Sequence, residues 1–423
     1  MPVLPGQILS LTIEKPAVGG WMIARANGQV VLVDDAIPGE RASVAIDRIG
    51  KGVAYARTVE VEVASPDRQR PPGERACGGC LYAHIAYPRQ LQIKSTVVGD
   101  ALARIGRLTL PALPTVRSSP VLGYRMRARL HRRAGRIGFF RENTHEVCDA
   151  RATGQLLGAT CDVLDRLDAA LRRDNLDTVR EIEVSENIDA SERVIHLDDR
   201  LGGDGTLPPG VFEVGTVTGL STPSSNSGAE RVLFGSPHVS DTLEIEGERI
   251  GVRRHVSSFF QGNRFLLRDL MTHVADQVPR GSRVIDLYAG GGLLALAASR
   301  LRGASVVAVE GDRLAASDLA ANAGSAPSIE VAHRAVEDFL QMAPRRADVV
   351  IVDPPRAGMS PEALQGALRV RAQRFVYVSC DVATLARDTR RLVEAGYRVS
   401  GIEAFDMFPN TPHVETVVVF ERA

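Results

Sequence analysis

Four aliphatic residues, Val349-Val350-Ile351-Val352, run directly into Asp353-Pro354-Pro355-Arg356. A run so short, apolar and β-branched reads as a parallel strand buried on both faces, which the chain leaves as a rigid loop at its carboxyl end. Arg374 to Ser379 repeats the arrangement and delivers Cys380, and Ser282 to Leu287 does so again before Tyr288-Ala289-Gly290-Gly291-Gly292. A helical segment from Val382 to Ala395 covers the sheet, and Arg398 to Phe405 and Thr416 to Phe420 read as closing strands. The expected fold class is α/β. In an open sheet of this kind ligands bind in the crevice beyond the carboxyl ends of the strands, so Asp353 and Cys380 are expected to share one cleft.

Cysteine is among the most buried residue types, and a lone Cys at a strand end is commonly packing. Here its company points to chemistry. A thiolate is a strong nucleophile, able to add to carbon 6 of a pyrimidine ring and make carbon 5 attack an electrophile such as a sulfonium methyl group. A base must then take the carbon-5 proton before the cysteine can leave. Glu415, reached through the loop Asp406 to His413, is the candidate. The glycine turn lets backbone approach an adenosyl cofactor closely. The next strand, from Ala304, ends at Glu310, an acid suited to ribose hydroxyls. Those two features fit a dinucleotide as well; the spacing, three glycines after Asp286-Leu287-Tyr288 rather than Gly-x-Gly-x-x-Gly, favours S-adenosylmethionine.

Taken together, Asp353-Pro354-Pro355-Arg356-Ala357-Gly358, Val378-Ser379-Cys380-Asp381 and Asn410-Thr411-Pro412-His413-Val414-Glu415-Thr416 closely resemble the motifs of the RNA uracil carbon-5 methyltransferases, which make 5-methyluridine in tRNA and ribosomal RNA. The resemblance extends, more weakly, over the whole chain. It implies a Rossmann-like class I methyltransferase domain over residues 251–423, using S-adenosylmethionine, with Cys380 as nucleophile, Glu415 as base and Asp353 as a donor-pocket residue near the reacting centre. It also implies donor contacts from Gln261, within Phe259-Phe260-Gln261-Gly262-Asn263, and from Tyr288, Glu310 and Asp338. The implied partner is structured RNA, tRNA or rRNA, with the target uridine unpaired or flipped from its stack. Two other readings remain. One is methylation at an exocyclic amine or another base position, because Asp-Pro-Pro also occurs in amino-methyltransferases. The other is a non-catalytic RNA-binding protein with a degenerate methyltransferase domain.

At 423 residues the chain suggests two or three domains. Residues 1–62 hold short β-rich runs, Gln7 to Ile13, Val30 to Val33, Arg41 to Ile46 and Val53 to Val59, separated by turns such as Asn27-Gly28. They favour a small closed barrel and resemble a TRAM domain, an OB-like RNA-binding module. Its basic residues Arg25, Arg48 and Lys51 are the candidates for RNA contact. Residues 63–250 form a β-rich central domain after a polar, proline-rich linker. A helix from about residue 89 shows apolar spacing at Leu91, Val98, Leu102 and Ile105, and the resemblance implies that it packs on the catalytic domain. Arg125, Arg127 and Arg129 alternate, so on a strand they share one face, either toward an RNA backbone or paired with acidic neighbours. Residues 201–229, rich in Gly, Pro, Ser and Thr, read as hairpin loops or an insertion.

The five cysteines, Cys77, Cys80, Cys148, Cys161 and Cys380, form an odd, sparse set that does not look like a disulfide framework, so metal or catalytic roles are expected. Cys77-Gly78-Gly79-Cys80 can point two thiolates at one ion, in a zinc or iron–sulfur site. In the resembled family a 4Fe–4S cluster takes a further cysteine six residues upstream and one far downstream. Cys148 matches the downstream ligand, whereas the upstream position is Pro71. Zinc, or free thiols, are the competing readings. The 51 basic and 51 acidic residues balance, which argues against a uniformly basic surface but leaves room for a local patch. The basic residues are nearly all Arg, with Lys only at positions 15, 51 and 94. The absence of a membrane-length apolar run and of a signal-like start places the protein, as an expectation, in the cytoplasm.

Overall fold

The computed structural model describes residues 3–71, 73–199, 216–223, 230–324, 326–342 and 346–423. Strands β1 (Ile8–Pro16), β2 (Met22–Ala26), β3 (Gln29–Asp34), β4 (Arg41–Gly50) and β5 (Val53–Val63) close into a barrel in the order β1-β2-β3-β5-β4. Alternation along each strand fills its inside with Leu11, Ile13, Val31, Val33, Val44 and Ile46. The expected closed barrel is present. Strand β2 is added to it: Met-Ile-Ala-Arg-Ala has one β-branched residue and so little strand signal of its own, yet Met22, Ile23 and Ala24 are buried.

Helix α1 (Tyr87–Arg104) and the short strand β6 (Val116–Arg117) come next. A seven-stranded sheet then forms from β7 (Arg127–Arg133), β8 (Arg136–Phe140), β9 (Val147–Asp149), β10 (Glu181–Glu186), β11 (Arg193–Leu197), β12 (Gly219–Pro223) and β13 (Glu230–Gly235), in the order β13-β12-β11-β10-β7-β8-β9. Helix α2 (Gly158–Arg173) packs on β8. Of the stretch 201–229, residues 216–223 are described and contain β12, which pairs parallel with β11; the remainder lies outside the described residues. The arginine row is not a free cationic face. Strand β10 lies antiparallel to β7, so Arg129 Nε donates to Glu181 at 2.8 Å and the Arg127 guanidinium lies 3.8 Å from Glu183. Arg125 precedes the strand, with its guanidinium over the Phe139 ring.

A hairpin, β14 (His238–Ile245) and β15 (Glu248–His255), leads to the eight-stranded sheet that carries the site. Its strands are β16 (Arg283–Leu287), β17 (Ser305–Glu310), β18 (Ile329–His333), β19 (Val349–Val352), β20 (Arg374–Ser379), β21 (Tyr397–Phe405) and β22 (Glu415–Arg422), with β6 at one edge, in the order β18-β17-β16-β19-β20-β22-β21-β6. Helices α3 (Leu267–Asp276), α4 (Leu293–Arg302), α5 (Arg313–Ala323), α6 (Val336–Gln341), α7 (Pro361–Val370) and α8 (Val382–Glu394) belong to the same half of the chain. Strands β16 to β20 are parallel; β22 runs antiparallel to both β20 and β21. From β16 the chain builds outward through β17 and β18, then returns to the other side of β16 with β19 and β20. The order reverses between β16 and β19, and that is where a doubly wound sheet opens a ligand crevice. Helix α1 packs against α8, and its Ile93, Val98 and Leu102 share one apolar cluster with the barrel interior and with Val382, Ala404 and Val414. Among the described residues no helix is long and apolar enough to cross a membrane.

Candidate active site

Three strand ends converge on the crevice. Asp353 leaves β19 beside β16, with its N–H 3.3 Å from Leu287 O. Cys380 leaves β20, and Ser379 stands opposite Thr416 in the β20–β22 ladder. One further step of that antiparallel register sets Cys380 opposite Glu415, the first residue of β22. The loop after Asp353 is fixed by Gly358, whose φ of 72° closes the turn onto Pro355 O at 2.7 Å. A Cβ at Gly358 would come within 2.9 Å of Asp388, so the loop requires glycine there. On its other side Cys380 is anchored by the start of α8, where the Asp381 side chain caps the helix by accepting the Thr384 N–H at 2.8 Å.

The acids of this crevice are desolvated and close enough to raise one another. Burial pushes the Asp353 carboxyl up to about 7, against the pull of Gln261, whose Nε2 donates to it at 3.3 Å. Glu415 is 2% exposed, its Oε1 lacks a hydrogen-bond partner, and burial, with the charge of Asp353 second, holds it well above the usual carboxylate range. Burial pushes the Cys380 thiol up to about 12; Glu415 and Asp353 add to the rise, and the Arg356 guanidinium opposes it. His413 is driven down to about 4, first by burial and then by Arg356 and Lys94, and stays neutral. A thiol, two carboxyls raised by burial and one guanidinium thus share a single desolvated cleft.

Beside them lies a second recess, lined by Phe259, Phe260, Gln261, Tyr288, the glycine turn and Asp353. Gly292 (φ 89°) begins α4 where a Cβ would strike Leu319 at 2.6 Å. Tyr288 takes a φ of 61° without being glycine, a conformation kept only where the surroundings enforce it. Glu310 accepts the Gly290 N–H at 2.7 Å and the Asp312 N–H at 2.6 Å, so it braces the turn. Asp338 is exposed on the first turn of α6 and does not line the recess. Asp286 is a member of the site that the sequence motifs do not single out. It lies near the end of β16 in the same recess, 1% exposed, and burial, with the charge of Asp353 second, raises it well above the usual range against the pull of the Ala295 N–H at the start of α4. A signal for it exists in the sequence: an acid inside a strand buried on both faces needs a partner, and among the described residues no side chain supplies one. Orphaned carboxylates facing a glycine-lined recess suit a cationic amino-acid sulfonium, so the residues fit S-adenosylmethionine.

The sulfurs depart from the sequence-based expectation. Cys77 and Cys148 are joined to each other as a disulfide, with Cα atoms 6.0 Å apart, where a metal or free thiols were expected. The Cys-x-x-Cys loop lies along the β8–β9 hairpin through Gly78 N–H to Phe140 O at 2.9 Å, and this brings Cys77 to Cys148 on β9. Cys80 and Cys161 are buried thiols in the same apolar cluster, both pushed up to about 11 by burial. Among the described residues no group of three or more His, Cys, Asp or Glu is arranged to hold a metal ion. With two sulfurs bonded to each other and the upstream position occupied by Pro71, the residues do not fit a 4Fe–4S cluster.

Known proteins give this geometry a lineage. Residues 224–423 match the family described as tRNA (Uracil-5-)-methyltransferase, and residues 2–59 match the TRAM domain. The chain is 32% identical to the 23S rRNA (uracil(1939)-C(5))-methyltransferase RlmD of Acidithiobacillus ferrooxidans over 100% of its own length and 99% of the relative's. The chain belongs to the RNA uracil-5-methyltransferase family. It is also 30% identical to an uncharacterized RNA methyltransferase of Thermotoga maritima, covering 97% of this chain and 98% of that one. Its fold matches the crystal structure of Pyrococcus abyssi tRNA (uracil-54, C5)-methyltransferase in complex with S-adenosyl-L-homocysteine, with a TM-score of 0.77, 23% identity, and coverage of 97% and 99% of the two chains. The fold is that of a class I methyltransferase with an N-terminal TRAM barrel, and the activity is S-adenosylmethionine-dependent methylation of RNA at uracil carbon 5.

Proposed function

We propose that this methyltransferase works through a covalent bond between Cys380 and the target uracil. The observation that carries the reading is the place of Cys380 and Glu415, each one step beyond the Ser379–Thr416 pair, in one desolvated cleft beside Asp353. When bound, S-adenosylmethionine supplies an electrophilic methyl group. Cys380, having lost its thiol proton to solvent, bonds through Sγ to carbon 6 of the flipped uracil, the 5,6 double bond moves its electron pair to carbon 5, and carbon 5 takes the methyl as the sulfonium carbon–sulfur bond breaks to leave a neutral thioether. Glu415 then accepts the carbon-5 proton, the sulfur–carbon bond breaks, and the double bond and the thiolate are restored.

Burial works against this sequence, since it raises both the Cys380 thiol and the Glu415 carboxyl. Asp353 and Asp286 would hold a cationic donor whose charge would offset the acidic neighbours that add to this rise, and Arg356 favours the thiolate from the other side. Gln261, Tyr288, Glu310, Asp353 and Asp286 hold the donor in this reading, and Asp338, exposed and outside the lining of the recess, does not. Residues 1–62 form the RNA-binding barrel, 63–250 the central domain and 251–423 the catalytic domain. The test is a trap. The protein and S-adenosylmethionine are mixed with tRNA and ribosomal RNA pools transcribed with 5-fluorouridine, where fluorine replaces the proton that Glu415 removes. A Cys380-dependent protein–RNA band on a denaturing gel is expected in the pool holding the target. No band in either pool, with donor binding intact, overturns the covalent reading.

A further inference from the structure

The loop between β21 and β22, residues 406–414, ends one residue before Glu415 and is held by groups from distant parts of the chain. Lys94, in the middle of α1, donates from Nζ to Asp406 Oδ1 at 2.5 Å and to Phe408 O at 3.1 Å, and both charged side chains are fully buried. Gln90, one turn earlier on the same helix face, exchanges two hydrogen bonds with Asn410: its Oε1 accepts the Asn410 N–H at 3.0 Å and its Nε2 donates to Asn410 Oδ1 at 2.9 Å. Asn410 itself sits at φ 63°, and its carbonyl accepts Tyr82 N–H at 2.8 Å. Asn263 Nδ2 donates to Met407 O at 3.2 Å. A Cβ on Gly20 of the barrel would come within 3.2 Å of the Pro412 ring.

Such an arrangement is a poor way to gain stability. Removing two charges from water costs several kcal/mol per ion, and a buried pair returns little net stabilisation. It is a good way to fix a position. Only three of the chain's 51 basic residues are lysines, and one of them stands here, where a compact ammonium with three donors fits a closed socket that a guanidinium fork would not. The loop's last residue, Val414, is buried in the cluster shared by α1 and the barrel. Its neighbour Glu415 points to the opposite face, as successive strand residues do, so wherever Val414 and the loop are pinned decides where the Glu415 carboxylate stands.

The geometry points to a positioning clamp: Lys94 and Gln90 of α1 fix the 406–414 loop through Asp406, Phe408 and Asn410, and thereby hold the Glu415 carboxylate at the carbon it deprotonates. This rests on the reading of Glu415 as the base. Lys94 and Gln90 touch neither substrate nor donor; they act through Glu415 alone, so loosening them slows the step Glu415 performs and spares the steps before it.

The experiment separates those steps in the full-length protein. Asn410→Gly removes the amide while keeping the left-handed backbone accessible, and the double variant Lys94→Met/Asp406→Leu removes the ion pair without leaving a charge buried alone. Each is run in single turnover on RNA carrying tritium at uridine carbon 5, with the methyl group transferred and the tritium released measured separately. We expect methyl transfer within about 3-fold of wild type, tritium release slowed about 10- to 100-fold, as for a displaced catalytic group, and a persistent protein–RNA adduct. A merely structural contact would slow both steps together; that result, or no change in either, overturns the clamp. Glu415→Gln is run alongside. If it turns over normally, the base assignment falls and the clamp with it; if it accumulates adduct while the clamp variants behave as wild type, the clamp alone falls.

Discussion

In the seven-stranded sheet and its borders the buried carboxylates Glu186, Asp168 and Asp241 each meet a guanidinium, whereas at the rim of the eight-stranded sheet Asp286 and Glu415 have no ion-pair partner among the described residues. Glu186 receives Arg193 Nε at 2.5 Å on one oxygen and Arg264 at 2.7 Å on the other, Arg132 meets Asp168 at 2.7 Å, and Arg254 bonds to Asp241. Asp286 and Glu415, equally buried, keep oxygens with no partner. Both regions bear the desolvation cost of buried charge, and only one recovers it from its own residues. At the eight-stranded sheet the unrecovered cost falls at the crevice that topology opens, and the two observations agree.

The largest break in that contrast is expected at the nucleophile. Cys380→Ala should lower turnover by at least about 10⁴-fold, the scale on which removal of a nucleophile acts, and should abolish the 5-fluorouridine adduct while donor binding persists. Retained turnover measured by methyl incorporation would return weight to methylation without a covalent step. The pairing side breaks differently. Glu186→Gln leaves two buried guanidinium groups short of charge and should cost about 3–5 kcal/mol of stability, read as a lowered denaturation midpoint. Donor binding measured below that midpoint should be unchanged, because Glu186 does not line the recess. A variant as stable as wild type would show that the pairs are not where this sheet keeps its stability.

This contrast also explains what was legible in the sequence. Runs such as Val349 to Val352 announce themselves because a strand buried on both faces must be apolar throughout, and the residues at their ends inherit a crevice from topology alone. Cys380 and Asp353 were therefore readable from the chain itself, Glu415 from the proton the chemistry must shed and Gln261 from the family resemblance, and the structure brings them together. The arginine row was not, because alternation fixes a shared face but not what β10 places opposite it. The Cys77–Cys148 bond was missed for a similar reason: spacing shows that Cys77 and Cys80 can meet one ion, but only the fold shows that Cys77 meets Cys148 instead. Asp286 and Lys94 were not singled out, because their significance lies in surroundings that no local pattern specifies.

The smallest effect is the most diagnostic. Asp353 is raised to about 7 in the folded chain by burial, while an unfolded aspartate sits near 3.9. A carboxyl raised in this way adds stability that is fully present below the unfolded value and is lost as pH climbs through the folded one. Between about pH 4 and 7 the donor-free wild type should therefore lose stability from this group, and above that range it carries a buried charge with only Gln261 as a hydrogen-bond partner. Asp353→Asn removes the titration. At pH 8 we expect it to raise stability by about 1–2 kcal/mol, less than the shift alone would give because the new amide must find partners of its own. The same variant should lose the stabilisation that S-adenosylmethionine confers on wild type, so the two melting curves cross when donor is added. If Asp353→Asn is instead less stable than wild type at every pH, the carboxylate is a structural group like Glu186. The distinction between the two sheets would then narrow to Asp286 and Glu415.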